Sequence, residues 1–324
     1  PTVQNVYLGM KEDFKSEAVL PWGVTTYYRA TSPAIGGTFT SLEPSQEKLD
    51  KAEPTWKDSM NDYNVMIVTI ARAAGENTNY TPGEEGVNPE QNLNQADPLG
   101  LSDTERATID AAVKAKEQNG GKVIVLLNNA SAMEIDELKN NDGIDAMLEV
   151  GIPGGYGFYG VADVLSGDAN PSGHLADTYA VDNSASPAAQ NYGDYEWTNA
   201  DSDYSINSEI VEAESIYTGY KYYETASDDG VINYEDVVKY PFGYGLSYTT
   251  FEQKMNDFSD NGDNVTFNVT VTNTGDVAGK DVVEVYFTPP YTNGGIEKAS
   301  VNLIDYAKTG EIAPGESETV EFTI

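Results

Sequence analysis

The run VMIVTIARAAGENTNY, Val65 to Tyr80, opens with apolar and β-branched residues and turns polar within a few positions. Val65–Ile70 is too short for a helix, and with a helical pattern to follow it reads as a buried strand of a parallel sheet. Arg72, Gly75 and Glu76 come directly after, where such a strand meets its loop. In open α/β sheets ligands bind outside the carboxyl ends of the strands, so an acid at Glu76 is well placed for chemistry. The competing reading is a solvated surface charge, the usual state of a loop glutamate.

Downstream comes a polar segment, Asn77 to Pro98, punctuated by Gly83 and Gly86. Loops beyond about 15 residues are uncommon in compact domains and are often functional. Glu84 and Glu85 within it are further acids, although such a pair is usually just solvated. Ser102-Asp-Thr-Glu105 forms a capping box. Ile109, Ala112, Val113 and Ala115 then recur at helical spacing until Asn119-Gly120-Gly121 ends the helix. VIVLLNN (Val123 to Asn129) is a second buried strand, Ser131 to Lys139 a short helix, and AMLEV (Ala146 to Val150) a third strand. Gly151-Ile-Pro-Gly-Gly155 leads into a helix over Tyr156 to Leu165. This alternation predicts an α/β fold, a right-handed and mostly parallel sheet with helices on both faces.

Upstream, residues 1–60 are poorly readable and are taken as the N-terminal part of the same α/β domain. Gly23 to Tyr28 suits a strand, and Glu43 to Met60 is helix-permissive around Pro54. Trp22 and Trp56 suit a core or a sugar site, with core packing expected. Past Asp168 the chain is polar, Tyr-rich and irregular to Asp229, with a strand or short helix near Ile216 to Tyr223. From Phe251 the period becomes two: Val265, Phe267, Val269 and Val271 alternate, Asn273-Thr-Gly-Asp276 turns, and Val282 to Phe287 follows. Leu303, Pro314-Gly315, Val320, Phe322 and Ile324 continue the pattern of a fibronectin III or immunoglobulin-type β-sandwich. That segment is shorter than the usual length of about 100 residues and stops inside a strand, so a truncated sandwich is expected. The expected domains are an α/β-sandwich over 61–250 and an incomplete fibronectin-like domain over 251–324.

Composition narrows the function. The 324 residues carry a formal charge of −35, which repels phosphate backbones and anionic membranes, so nucleic acid is not an expected partner. Neutral sugars are indifferent to such a field. There is no cysteine, hence no thiol chemistry and no disulfide framework. The single histidine, His174, excludes a Ser-His-Asp triad unless it is the base, and argues against zinc. No apolar run reaches the roughly 18 residues of a membrane span. Gly151-x-x-Gly154-Gly155, where the third strand meets its helix, has the wrong spacing and a proline for a nucleotide-binding turn, which weakens a flavodoxin-like nucleotide binder.

Several blocks together resemble glycoside hydrolase family 3. ARAAGEN (Ala71 to Asn77) is similar to that family's Arg-x-x-Gly-Glu-Gly loop, and PLGLSDTE (Pro98 to Glu105) to its Leu-x-Leu-Ser-x-x-Glu helix start. GVADVLSGDANPSGHLADTY (Gly160 to Tyr179) resembles its signature, in which a basic residue usually follows Asn-Pro-Ser-Gly. IYTGYKYYET (Ile216 to Thr225), YPFGYGLSYTTF (Tyr240 to Phe251) and TNTGDVAGKDVVEVYFTPP (Thr272 to Pro290) complete the resemblance. NPSGHLADTYA, ASPAAQN and PPYTNGGIEK look most like the subgroup with inverted domain order, where the barrel comes last.

The resemblance implies a retaining, cofactor-free β-glucosidase-like hydrolase of terminal β-linked sugars. Its nucleophile would lie on a TIM barrel that needs about 200 residues or more and is absent from this chain. Ser202-Asp203-Tyr204 superficially resembles the nucleophile motif but follows no strand. Retaining enzymes hold two carboxyls about 5 Å apart, and here the family assigns the acid/base role to Glu76. The family often continues Glu-Gly-x-Asp-Arg, whereas this chain reads Glu76-Asn77-Thr78-Asn79-Tyr80. Arg72 either orients that acid, binds sugar hydroxyls or forms a structural salt bridge. Glu149, at the end of the third strand, and Tyr156, beside Phe158 and Tyr159, are candidate sugar contacts, the aromatics alternatively burying against the sheet. His174 is expected to cap local backbone or meet a partner domain, while Tyr244 and Tyr248 are expected to pack. The chain by itself is expected to be inactive. An oligomer is compatible with the sequence, and the compartment stays open between export and the cytoplasm. The rival class is a non-catalytic carbohydrate-binding or structural surface module of the same fold.

Overall fold

The computed structural model describes residues 46–72, 99–191, 195–196, 208–209, 212–292 and 294–324. The expectations at Trp22, Gly23–Tyr28, Glu76, the Asn77–Pro98 segment with Glu84 and Glu85, and Ser202-Asp203-Tyr204 lie outside them. The chain divides into two compact units, Pro1–Ala169 and Asn170–Ile324.

In the first unit, β1 (Val65–Ala71), β2 (Lys122–Asn128) and β3 (Ala146–Glu149) form a parallel sheet in the order β1-β2-β3. The register pairs Ala71 with Asn128 and Leu127 with Glu149, so the three carboxyl ends finish along one edge. Both faces are covered, as the near-continuous apolar strands require. On one face Ile67, Ile124, Leu126 and Leu148 pack with Phe158, Val161 and Leu165 of the helix Gly154–Ser166. On the other, Met66, Val68, Ile70, Val123, Val125 and Leu127 are buried, and the helix Asp103–Asn119 packs on β1 and β2.

The ends of these helices follow from local chemistry. Ser102 Oγ accepts the N–H of Glu105 while the Glu105 carboxylate accepts the N–H of Ser102, a complete capping box. Gly120 at φ +73° closes the same helix, a conformation that costs glycine nothing. Asp145, just before β3, pairs with Lys116 and Lys122 at 2.8 Å each. Those ammonium groups, with the Val123 N–H, hold its carboxyl far below the usual range. Trp56 is buried against Leu49 and donates Nε1–H to Asp50 at 2.9 Å, as core packing predicts.

The short helix expected over Ser131–Lys139 is a single turn, Asp136–Lys139. Glu134 gives its N–H to Leu99 O at 3.0 Å, and Met133 and Ile135 are buried. Tertiary pairing thus holds that stretch out of a helix its composition permits.

In the second unit, β4 (Tyr179–Ala180) pairs with β7 (Val238–Tyr240), and β5 (Tyr195–Glu196) with β6 (Ser208–Glu209). The ambiguous Ile216–Tyr223 region resolves as a helix, Tyr220–Asp228. β8 (Phe251–Asp260), β9 (Val265–Asn273) and β12 (Ser317–Thr323) form an antiparallel sheet in the order β12-β9-β8. β10 (Val282–Phe287) and β11 (Asn302–Lys308) form a second antiparallel pair. Phe267, Val269, Val271, Val283, Ile312 and Phe322 fill the space between, so the alternation of β9 is the inner face of a β-sandwich.

Hydrogen bonds at motif residues join parts of residues 170–250 to one another and, through Asn170, to Ala278 between β9 and β10. Asn170 accepts from Ser247 Oγ and Tyr248 N–H and donates to Ala278 O. Leu175 N–H donates to Tyr244 O, and Gly243 N–H donates to Leu175 O. Tyr244 packs on Tyr240 with ring centres 4.6 Å apart and planes tilted by 46°, the packing role expected of it. His174 Nδ1 is enclosed and makes no hydrogen bond, so that nitrogen caps no backbone. Among the described residues, no helix is long and apolar enough to cross a membrane.

Candidate functional site

The carboxyl edge of the parallel sheet carries Arg72, Asn128, Asn129 and Glu149. β1 and β3 flank β2, so Arg72 and Glu149 leave the sheet about 10 Å apart, two strand spacings. Arg72 follows β1 immediately and is held to β2 by its N–H, which donates to Asn128 O at 3.3 Å. Its guanidinium is enclosed: the side chain is 1% exposed and that of its partner Glu105 is 3% exposed. Nη1 donates to Glu105 Oε1 at 2.6 Å and to Ala71 O at 2.9 Å. Nη2 donates to Glu105 Oε2 at 2.9 Å and to Gly100 O at 2.6 Å. This is a bidentate fork with extra carbonyl acceptors, the geometry in which arginine binds carboxylate best. Of the roles the sequence left open for Arg72, the structure shows it in a salt bridge.

Glu105 therefore serves twice. Oε2 accepts both the Ser102 N–H of the capping box, at 2.9 Å, and Arg72 Nη2. The capping box was legible in Ser102-x-x-Glu105; the second role was not, because Arg72 and Glu105 are 33 positions apart.

At the end of β3, Glu149 is half-buried and its Oε1 accepts the Gly151 N–H at 2.7 Å. Asn128 Nδ2 donates to Gly151 O at 2.5 Å, so both polar groups of the Gly151 backbone are held by side chains of neighbouring strands. Gly151 sits at φ +58° and Gly154 at φ +67°, where a side chain would be strained. That tight passage starts the helix Gly154–Ser166 next to the edge. Phe158 of this helix is fully buried in the core, whereas Tyr156 is 87% exposed and Tyr159 45% exposed. The three aromatics thus separate into one core residue and two that present rings to solvent, as stacking on a sugar would require.

Asn129 was not singled out from the sequence. It is 2% exposed, and its Nδ2 has no hydrogen-bond partner. The only signal in the sequence was a pair of amides closing an otherwise apolar strand. No group of three metal-ligating side chains exists among the described residues.

Residues 2–248 match the family model for the glycosyl hydrolase family 3 C-terminal domain. The chain is 35% identical to beta-glucosidase A of Butyrivibrio fibrisolvens over 227 residues, 65% of this chain and 25% of that protein. It is 31% identical to a beta-glucosidase of Ruminococcus albus over 301 residues, 92% of this chain and 27% of that protein. Among solved structures, beta-glucosidase 3B from Thermotoga neapolitana in complex with glucose superposes with a TM-score of 0.67 at 31% identity. The superposition covers 100% of this chain and 38% of that one. The chain thus spans about a quarter of the length of the curated relatives it matches.

Proposed function

The chain belongs to glycosyl hydrolase family 3, and we propose that it serves as the non-barrel part of a retaining β-glucosidase-like enzyme acting on terminal β-linked sugars. In this reading its sheet edge forms one wall of the sugar site, Glu76 is the acid/base, and a TIM-barrel partner domain supplies the nucleophile. The carrying observation is the shared carboxyl edge of the parallel sheet. The Arg72-x-x-Gly-Glu76 sequence leaves it at β1, and the half-buried Glu149 and the exposed Tyr156 flank its far side. That is where open α/β sheets take ligands. Relatives bearing the name beta-glucosidase support the substrate class.

Chemically, Glu76 would protonate the leaving oxygen as the barrel carboxylate attacks the anomeric carbon, then deprotonate the water that releases the sugar. No cofactor is needed for either step. Glu149 would contact sugar hydroxyls and Tyr156 would offer a stacking face.

The test is the protein from its native source, assayed on aryl β-glucosides beside a Glu76→Ala variant. An active species with mass sufficient for a barrel is expected, with turnover falling about 10²–10⁴-fold in the variant. Added azide should restore the rate, because a small anion attacks the glycosyl intermediate without needing a base. An inert native species consisting of this chain alone would favour the carbohydrate-binding module instead.

A further inference from the structure

We infer that β8 and β10 form a docking surface for one further β-strand, supplied by another part of the polypeptide, which pairs with β10 and covers β8. The source of that strand, though not the surface, rests on the reading of this chain as part of a longer enzyme.

Two side chains of β8 are aimed at the core of the sandwich and yet stand in solvent. Met255 lies opposite Val269 of β9, and the Phe258 ring stacks on that of Phe267 with centres 6.5 Å apart. Val269 and Phe267 belong to the buried core, so Met255 and Phe258 point to the same inner face. They are nonetheless 59% and 61% exposed. Phe258 reaches that face only through a bulge. The register shifts between Asn256 and Ser259, and Asp257 takes φ +54°, a conformation uncommon for a residue with a side chain. Without the extra residue, the strand's period of two would turn Phe258 outward. The chain thus departs from regular geometry to aim an aromatic ring at a side of the core that is left open.

The free edge of β10 borders the same opening. β10 pairs with β11, and no other described strand pairs with it. Thr309 N–H donates to Asp281 O, which turns Asp281 toward β11. By alternation, the backbone groups of Val282 and Glu284 turn to the opposite edge. Gln253 lies opposite Val271 on the inner face of β8 and reaches that edge. Its Nε2 donates to Val282 O at 3.0 Å and to Asp281 Oδ2 at 2.8 Å. Open edges are commonly guarded by lysine or proline, and Val282–Val285 contains neither.

A β-strand meets both demands at once. Paired strands lie about 4.8 Å apart and packed sheets about 10 Å apart, so a strand beside β10 lies over β8. Its backbone would pair with Val282 and Glu284. Its alternate apolar side chains would extend the existing sheet-on-sheet core onto Met255 and Phe258. A second copy of this chain is a poor donor, because two bodies of charge −35 repel each other. A strand of the same polypeptide avoids that encounter and acts at high effective concentration. The curated relatives extend well beyond the part this chain matches, which leaves room for one.

The experiment places single cysteines in the native full-length polypeptide, Met255→Cys and Phe258→Cys, with Glu252→Cys on the exposed outer side of β8 as reference. This chain has no cysteine of its own, so peptide masses after maleimide treatment report each position separately. Positions 255 and 258 are expected to react at least about 50-fold more slowly than position 252, at every protein concentration. Hydrogen exchange of the unsubstituted polypeptide, read residue by residue, decides the case if a cysteine disturbs folding. There the Val282 and Glu284 amides are expected to be protected at least about 100-fold. Equal labelling at the three positions, or free exchange at Val282 and Glu284, would overturn the proposal. Protection that vanishes on dilution together with a dimer's mass would assign the surface to a second copy. Protection lost on purification would assign it to a separate protein, and either result overturns the source named here. If the native polypeptide is this chain alone, that source fails along with the reading of a longer enzyme. A longer polypeptide that shows both protections but hydrolyses no β-glucoside would sink the glycosidase reading and leave this inference standing.

Discussion

A methyl group added at Gly245 would lie 2.3 Å from Gly173 O and 3.0 Å from the His174 ring. One at Gly279 would lie 2.6 Å from Asn170 Nδ2, and one at Gly275 2.3 Å from Thr249 Oγ1. The residues that make Asn-Pro-Ser-Gly, Tyr240–Phe251 and the Thr272–Pro290 block distinctive are thus packed on one another. Asn273 shows the same economy: it is fully buried, accepts from Thr249 Oγ1 and Gly275 N–H, and donates to Val277 O and Ile312 O. Family-diagnostic residues here are fitted by contact rather than by chemistry. Gly245→Ala should lower stability by about 2 kcal/mol, since backbone oxygen cannot yield as a flexible side-chain tip does. Denaturant melts of this chain check it; an unchanged midpoint would mean the 170–175 and 243–248 segments are free to part.

Elements were read best where one short pattern carried the whole instruction. The alternation Val265-Phe267-Val269-Val271 is the inner face of β9, and the capping box starts the helix at Asp103 with both reciprocal bonds present. Ser102→Ala removes one of those bonds at a fully buried position and should cost about 1 kcal/mol. If Ser102→Asp restores most of the loss in the same melts, the cap is the cause, and if it does not, the burial of the hydroxyl is. The expected helix over Ser131–Lys139 shortened for the opposite reason. Its first half is engaged by Leu99, a residue remote in sequence, and no local pattern records that demand.

Across the whole chain, 18 basic side chains face 53 acidic ones. Pairs such as Arg106–Glu137 are exposed and contribute little on their own. Mutual repulsion among the remaining carboxylates opposes compactness. Raising sodium chloride from about 0.05 M to about 0.5 M, which shortens the screening length severalfold, should raise the melting temperature by about 3–5 °C. A flat or falling curve would show that local ion pairs outweigh the overall field. The same field repels phosphate backbones and is indifferent to neutral sugars.

The amino-acid sequence alone determined the α/β order, the sandwich alternation, the capped helix and the family resemblance. Each rests on a periodicity or spacing that a few neighbouring residues express. It also marked Arg72 and Glu149 as edge residues, because strand ends are visible as the place where apolar runs stop. Only the tertiary structure decided that Arg72 is paired with Glu105, that Asn128 and Glu149 together hold Gly151, and that Phe158 is buried while Tyr156 is not. Those outcomes depend on which distant segments meet when the sheet closes, and desolvation at such meeting points settles which polar groups must pair.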